Sequence, residues 1–367
     1  MPESRSSAQD KKYLRMACRL ARRAAGRTSP NPQVGAVIVQ RGKVVGTGYH
    51  RFAGGDHAEI AALKRAGARA RGATLYISLE PCSHQGRTPP CTGALVRAGM
   101  NDVVCGTMDP NPLVAGRGFR QLRRAGIRVR TGVLEQECRA LIEAFAKYIT
   151  RHVPFVTLKL AATLDGRIAA ASGDARWISG ERSRRAVHRL RNEIDAVIVG
   201  LGTVNADDPL LTCRVAGGRN PFRVVLDSAL KIPLSAKILH LSDADKTIIA
   251  TGPHVSRIKI RALEALGAQV LCVRLKRGQV SWPALLKALA RRGFVSVMIE
   301  GGGATAASAL KEGIVDKILF FYAPKILGGD ARAMIEALGF YPVRQAIGVK
   351  DLTFHKSGDD LVASGYL

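Results

Sequence analysis

Aromatic residues make up only 5% of the 367-residue chain, and only two of them are tryptophan. That is poor material for the base-stacking platforms of single-stranded nucleic-acid binders. No run of roughly 18 consecutive apolar residues occurs, so a membrane-spanning helix is not expected. The first residues, Met1-Pro2-Glu3-Ser4-Arg5-Ser6-Ser7, contain no apolar stretch of the secretory type. Cysteine is sparse and odd in number, seven scattered along the chain. This argues against a disulfide frame and for metal work in a reducing compartment, with the cytoplasm as the expected location. Acidic residues are few, 29 against 56 Lys+Arg, for a net charge of +27. Residues 1–150 hold 25 basic and 10 acidic residues and residues 151–367 hold 31 and 19, so both halves are basic. Dispersed arginine attracts polyanions without specificity. It also suits phosphorylated small substrates, and no specific nucleic-acid partner is expected. There is no internal repeat and no low-complexity tract.

What is present is ample apolar material, 47% of residues, in a chain long enough for two domains. The first half alternates helix and strand signals: a helix over 11–25, strands at Val34–Gln40 and Lys43–Gly48, then a helix over 57–70. Strand 73–79, helix 91–98, strand Asp102–Cys105, helix Phe119–Ala125 and strand Val129–Thr131 follow. A helical run ends near Tyr148, and an apolar strand, Phe155–Leu160, begins after Pro154. The second half carries strand signals at Ala196–Val199, Arg223–Leu226, Thr247–Ala250, Val270–Val273, Val295–Ile299 and Lys317–Tyr322. Helices are expected between them at Arg182–Arg191, Arg257–Leu266, Pro283–Arg291 and Thr305–Lys311. Such alternation predicts two α/β domains, 1–150 and 151–367.

The densest chemical signal is His57-Ala58-Glu59, followed by Pro81-Cys82 and Cys91. A lone histidine usually packs or hydrogen-bonds, and a lone buried cysteine is an inert small hydrophobe. Together these residues form the ligand set of a catalytic zinc site: three protein donors and one open tetrahedral position. Zinc there makes hydroxide available near neutral pH. Glu59 then carries protons to departing ammonia, as the H-x-E signature of zinc deaminases requires. That signature ordinarily closes with P-C-x-x-C, whereas eight residues separate Cys82 from Cys91 here. Asp56 is a candidate N-cap for the helix that bears His57. A strand delivers Pro81-Cys82 and a helix begins at Cys91, so two helix N-termini are expected to favour the thiolates.

In the second half, Val297–Ser308 reads as a strand, a glycine-rich turn (Gly301-Gly302-Gly303) and a helix start, suited to phosphate. It lacks the G-x-G-x-x-G fingerprint. Glu300 stands at the strand's end. Leu158–Ile168 is a strand and turn, Arg176–Glu181 sets Trp177 before a helix carrying Arg191, and Val199–Arg214 reads as a strand running into a polar loop.

Taken together, Asn31-Pro32-x-Val34-Gly35, Gly48-Tyr49-His50, His57-Ala58-Glu59, Glu80-Pro81-Cys82-Ser83-His84-x-Gly86-Arg87-Thr88-Pro89-Pro90-Cys91 and Asp109–Gly118 resemble the deaminase half of the bifunctional riboflavin-biosynthesis deaminase/reductase family. Thr163–Gly166, Trp177-Ile178, Gly202-Thr203, Ala206-Asp207 and Glu300–Gly302 are similar to its reductase half. The resemblance implies an N-terminal cytidine-deaminase-like zinc domain and a C-terminal dihydrofolate-reductase-like domain. The implied activities are hydrolytic removal of the 2-amino group of 2,5-diamino-6-(ribosylamino)pyrimidin-4-one 5′-phosphate, then NADPH-dependent reduction of the ribosyl side chain to ribityl. It implies zinc ligation by His57, Cys82 and Cys91, with Glu59 as proton shuttle and Asn31, His50, His84, Arg87 and Asp109 around the substrate. It implies NADP contacts at Ala161, Trp177, Thr203, Asp207, Ser228, Gly302, Gly303, Ala304, Thr305, Ala306, Ala307 and Ser308. Substrate contacts are implied at Arg191, Leu211, Arg214 and Glu300, and at Ala175, where relatives often carry serine. A homo-oligomer is implied as well. Arg191 and Arg214 are candidates to grip the 5′-phosphate, and Asp207, Glu300 and Lys159 are the candidate acids for the reduction.

Overall fold

The computed structural model describes residues 7–83, 90–340 and 342–367. They fall into two compact units, residues 1–152 and 153–367.

The first unit runs α1 (Ala8–Arg22), β1 (Gly35–Gln40), β2 (Lys43–Tyr49), α2 (Ala58–Ala66), β3 (Thr74–Leu79), α3 (Cys91–Arg97), β4 (Asp102–Thr107), α4 (Arg117–Arg124), β5 (Arg128–Arg130), α5 (Glu135–Leu141) and α6 (Glu143–Arg151). Its sheet has the order β2-β1-β3-β4-β5. β1 pairs antiparallel with both β2 and β3, while β4 lies parallel to β3 and to β5. Alternate side chains of a strand face opposite ways, and here both faces are covered. Ala36, Ile38, Leu75 and Ile77 pack with Ala58, Ala62, Leu95 and Leu122. Val37, Val39, Tyr76 and Val104 pack with Leu14, Ala17, Cys18 and Cys138. Small residues set the spacing of α2 on the sheet: a Cβ at Gly48 would stand 2.2 Å from the Ala58 carbonyl oxygen. Gly48 thus holds the start of α2 down, which fixes where His57 and Glu59 emerge.

Asp56 does not cap α2. The N-cap is His57, in extended backbone geometry and without a side-chain cap bond. The Asp56 carboxylate reaches Lys64 at 2.6 Å, and its carbonyl accepts from the His50 ring. Those two partners draw it away from the helix amides.

The second unit runs β6 (Phe155–Thr163), β7 (Arg167–Ala169), α7 (Glu181–Glu193), β8 (Ala196–Gly200), α8 (Leu201–Asp207), β9 (Phe222–Leu226), β10 (Thr247–Thr251), α9 (Arg257–Ala265) and β11 (Gln269–Cys272). Then come β12 (Leu275–Lys276), β13 (Gln279–Val280), α10 (Trp282–Arg291), β14 (Ser296–Ile299), α11 (Gly303–Lys311), β15 (Lys317–Ala323), β16 (Arg332–Ala333), β17 (Lys350–Ser357) and β18 (Asp360–Tyr366). Nine strands form one sheet in the order β11-β10-β9-β8-β14-β6-β15-β18-β17. Its first seven strands are parallel, and inner ones such as β8 and β14 are buried and read as continuous apolar runs; β18 and β17 close it antiparallel. Two sequence expectations change here. The stretch after Val199 is not a loop throughout, because Leu201–Asp207 forms α8, which buries Val204. The β17–β18 hairpin carried no strand expectation: β17 is an edge strand exposed at seven of its eight positions, so it shows no apolar alternation.

Candidate functional site

Three chain segments meet at the first site. His57 is fixed as the residue before α2, Cys82 follows β3 by three residues, and Cys91 opens α3. The two cysteines are tied together locally. The Thr92 hydroxyl donates to the Cys82 carbonyl at 3.2 Å, and the Cys91 amide donates to Cys82 Sγ at 3.4 Å. His57 Nδ1 lies 3.7 Å from Cys82 Sγ and 3.3 Å from Cys91 Sγ, and all three donor atoms fall within 4.8 Å of one another. Tetrahedral zinc with bonds of about 2.0–2.3 Å sets ligand–ligand separations of about 3.6 Å, so this donor set fits the ion in number, type and spacing. Among the described residues it is the one such cluster. The neighbouring Cys91 thiol, with the His57 ring, holds the Cys82 thiol down to about 4, which favours the ligating thiolate.

Beside this cluster lies a cavity of about 350 Å³, lined by Asn31, His50, His57, Glu59, Cys82 and Asp109 among others. Glu59 is buried on the first turn of α2, and burial pushes its carboxyl up to about 7. His50 Nδ1 is 3.0 Å from the Asp56 carbonyl, which can only accept, so that nitrogen carries the proton. Its Nε2 then accepts from Asn31 Nδ2 at 3.1 Å. Burial lowers the His50 pKa and keeps the ring neutral, in the tautomer that fixes the Asn31 amide. Burial likewise raises the Asp109 carboxyl, to about 6. His84 and Arg87 lie outside the described residues. The cavity also takes Glu80, Asn111 and, from α6, Phe145, Tyr148 and Ile149. Asn111 was within reach of sequence reasoning through the Asp109-Pro110-Asn111 stretch. The three α6 residues carry no local signal, because only folding returns that helix to the pocket.

The second site lies beside the central strands β14 and β6 of the nine-stranded sheet. Strands β6 and β14 are parallel neighbours with Leu158 opposite Ile299, so Lys159 and Glu300 emerge side by side. Glu300 is bracketed: Arg191 Nε and Nη2 donate to its two oxygens at 2.8 and 2.9 Å, and Lys159 Nζ at 3.2 Å. Burial works to raise the Glu300 carboxyl, but the Arg191 and Lys159 charges outweigh it and hold it down to about 2. Arg191 sits within the last turn of α7, and its remaining nitrogen donates to the Thr212 carbonyl. It is therefore engaged inside the protein, whereas Arg214 is exposed. The sequence reading treated this pair as equivalent, and the structure separates them.

The glycine-rich turn leads into α11 with Gly302 as N-cap. The Gly302 amide donates to Thr203 Oγ1 at 3.2 Å, joining this turn to α8. A Cβ at Gly303 would lie 2.5 Å from the Ala333 carbonyl oxygen, so the close approach there requires glycine. Of the other expected cofactor positions, Trp177 is 62% exposed, with the Arg184 guanidinium 4.5 Å from its ring centre. Asp207 and Ala304 are exposed, Ala161 and Thr305 half-buried, and Ala306 and Ala307 buried. The Ser228 hydroxyl accepts from the Val280 amide, and Ser308 accepts from the Trp282 indole at 3.0 Å. Of the remaining substrate positions, Leu211 is buried and Ala175 half-buried.

Comparison with known proteins assigns both halves. The cytidine and deoxycytidylate deaminase zinc-binding region matches residues 7–107, and the RibD C-terminal domain matches residues 154–363. A riboflavin biosynthesis protein RibD from Aquifex aeolicus is 45% identical over 96% of this chain and 97% of its own length. A solved RibD structure from Acinetobacter baumannii superposes with a TM-score of 0.87 at 38% identity, covering 98% of both chains. The diaminohydroxyphosphoribosylaminopyrimidine deaminase/5-amino-6-(5-phosphoribosylamino)uracil reductase of Thermotoga maritima superposes with a TM-score of 0.86 at 36% identity, again over 98% of both. Matched in both halves and along nearly its whole length, the chain belongs to the RibD family of riboflavin biosynthesis proteins.

Proposed function

We propose that the two sites divide the family's paired activities between them, deamination in residues 1–150 and reduction in residues 151–367. The chain is a bifunctional riboflavin-biosynthesis enzyme, a zinc-dependent deaminase and an NADPH-dependent reductase. Its substrates are phosphorylated ribosylaminopyrimidines, to which a net charge of +27 is suited. The observation that carries the reading is the cluster of His57, Cys82 and Cys91, of which His57 and Cys82 line one cavity with the buried Glu59.

His57, Cys82 and Cys91 would hold zinc, and the ion would supply a Lewis acid that lowers the pKa of water at the site. Asn31, oriented by neutral His50, and Asp109 present hydrogen-bonding groups to the pyrimidine. Glu59 takes a proton from the attacking water and delivers it to the departing amine, so water and the 2-amino group become a carbonyl and ammonia. The pocket fixes the ring against this carboxyl.

In the second unit NADPH supplies the hydride. The amides opening α11, on a turn tied to α8 by the Gly302–Thr203 bond, would hold its phosphates. The opened ribosylamine offers an imine carbon at C1′, and reduction there needs one proton on nitrogen. Glu300, held ionised, is a poor donor; it fixes Lys159, whose ammonium is the acid at that strand end. Arg214, exposed in the loop after α8, reaches the 5′-phosphate.

Glu59→Gln tests the deaminase assignment. The variant should keep about one zinc per chain while turnover falls by at least the roughly 10²–10⁴-fold worth of general acid–base catalysis. Retained turnover, or loss of zinc, overturns the role.

A further inference from the structure

We infer that Glu80 is a positioning residue of the deaminase pocket, acting through Asp109; the inference rests on the reading of Asp109 as a substrate contact. Glu80 is buried, 3% exposed, and contributes neither to the zinc ligands nor to proton transfer in the account above. It follows β3, and its own amide donates to the Thr107 carbonyl at the end of β4. Its carboxylate accepts three further bonds, all from the segment between β4 and the first turn of α4. Oε2 accepts from the Asp109 amide at 3.2 Å and from the Gly116 amide at 2.9 Å, and Oε1 from the Phe119 amide at 3.3 Å.

Gly116 is the N-cap of α4, and neither it nor Phe119 has an intrahelical acceptor available. The carboxylate therefore caps a helix from a distant part of the chain, where its charge also opposes the positive end of the helix. The same carboxylate grips the segment at its other end, at Asp109. From there two short turns continue: Asp109 Oδ1 accepts from the Asn111 amide at 2.8 Å, and Asn111 Oδ1 from the Leu113 amide at 3.0 Å. Asp109 and Asn111 both line the cavity. The packing against this anchor is tight. A Cβ at Gly118 would stand 2.2 Å from the Pro81 carbonyl oxygen and 3.1 Å from Glu80 Oε1. One buried carboxylate thus ties the strand that delivers Cys82 to the loop that delivers Asp109.

The test is a double-mutant cycle in the full chain, with Glu80→Gln, Asp109→Asn and the double variant. KM and kcat for ammonia release are read together with zinc content, and NADPH oxidation on deaminated substrate serves as a control in the other unit. Glu80→Gln keeps the shape of the side chain but loses its charge and part of its accepting capacity. We expect it to retain zinc and raise KM by about tenfold, the loss equivalent to one modest hydrogen bond, with a smaller change in kcat. In the Asp109→Asn background the same substitution should change KM by less than about twofold, because coupled residues are not additive. Equal losses in both backgrounds, or an unchanged KM in Glu80→Gln, overturn the inference. An unchanged KM in Asp109→Asn alone overturns the pocket reading and this inference with it. Gly118→Ala presses on the same anchor without altering its charge and carries the same expectation, so a zinc-depleted Glu80→Gln does not end the test.

Discussion

Replacing Arg191 with alanine should destabilise the reductase unit far more than replacing any exposed arginine. The Glu300 side chain is 6% exposed and lies between Arg191 and Lys159, which are 15% and 12% exposed. Holding its carboxyl down from 4.5 to about 2 corresponds to about 3 kcal/mol of native-state stabilisation. Removing one partner of a buried ion pair costs about 3–5 kcal/mol, and without Arg191 the buried carboxylate keeps only Lys159. For a unit of this size each kcal/mol moves the midpoint by about 2–4 °C, so Arg191→Ala should lower Tm by about 6–20 °C. Both tryptophans, Trp177 and Trp282, lie in this unit, so intrinsic fluorescence follows its unfolding selectively. Because the carboxyl is depressed in the folded state, the stabilisation is present above pH 4.5 and is lost as pH falls through about 2. The gap between variant and parent should therefore close in acid. Arg214→Ala, at an exposed position, should stay within about 0.5 kcal/mol of the parent. Equal stability of the two variants, or a gap indifferent to acid, would refute the reasoning.

Two further outcomes follow from the separation of the sites. Cys82→Ser should lose zinc and ammonia release while NADPH oxidation on pre-deaminated substrate continues; loss of both activities in a folded protein would contradict two independent sites. Arg214→Ala should weaken binding of phosphorylated substrate by about 10- to 150-fold, the roughly 1.5–3 kcal/mol of a hydrogen bond to a charged group. The effect should vanish with dephosphorylated substrate, and equal losses on both would mean that Arg214 does not read the phosphate.

The cluster of His57, Cys82 and Cys91 was legible in the sequence because its chemistry is encoded by residue type and order: imidazole, two thiols and a carboxyl two residues from the histidine. The parallel strands were legible because burial on both faces leaves unbroken apolar runs such as Ala196–Val199 and Thr247–Ala250. Strand β17 was not, since an exposed edge carries charged residues such as Lys350, Asp351 and Lys356 where a pattern would otherwise show. Helix α8 was hidden by Gly202 and by its polar residues Asn205 and Asp207. Asp56 looked like a cap because its type and position suit one, but Lys64 lies within reach and took the carboxylate. Arg191 shows the same limit at the site. Its charge pointed to phosphate, and only the pairing of β6 with β14 sets Glu300 beside Lys159 and within its grasp.

The central claim is that one chain carries both steps in a fixed chemical order. The most direct measurement supplies the purified enzyme with 2,5-diamino-6-(ribosylamino)pyrimidin-4-one 5′-phosphate under anaerobic conditions and follows ammonia and the absorbance of reduced cofactor together. Without NADPH, ammonia should appear to one equivalent of substrate. When NADPH is then added, one cofactor should be oxidised for each ammonia already released. Cofactor oxidised ahead of ammonia, or ammonia that forms only when NADPH is present, would contradict the account.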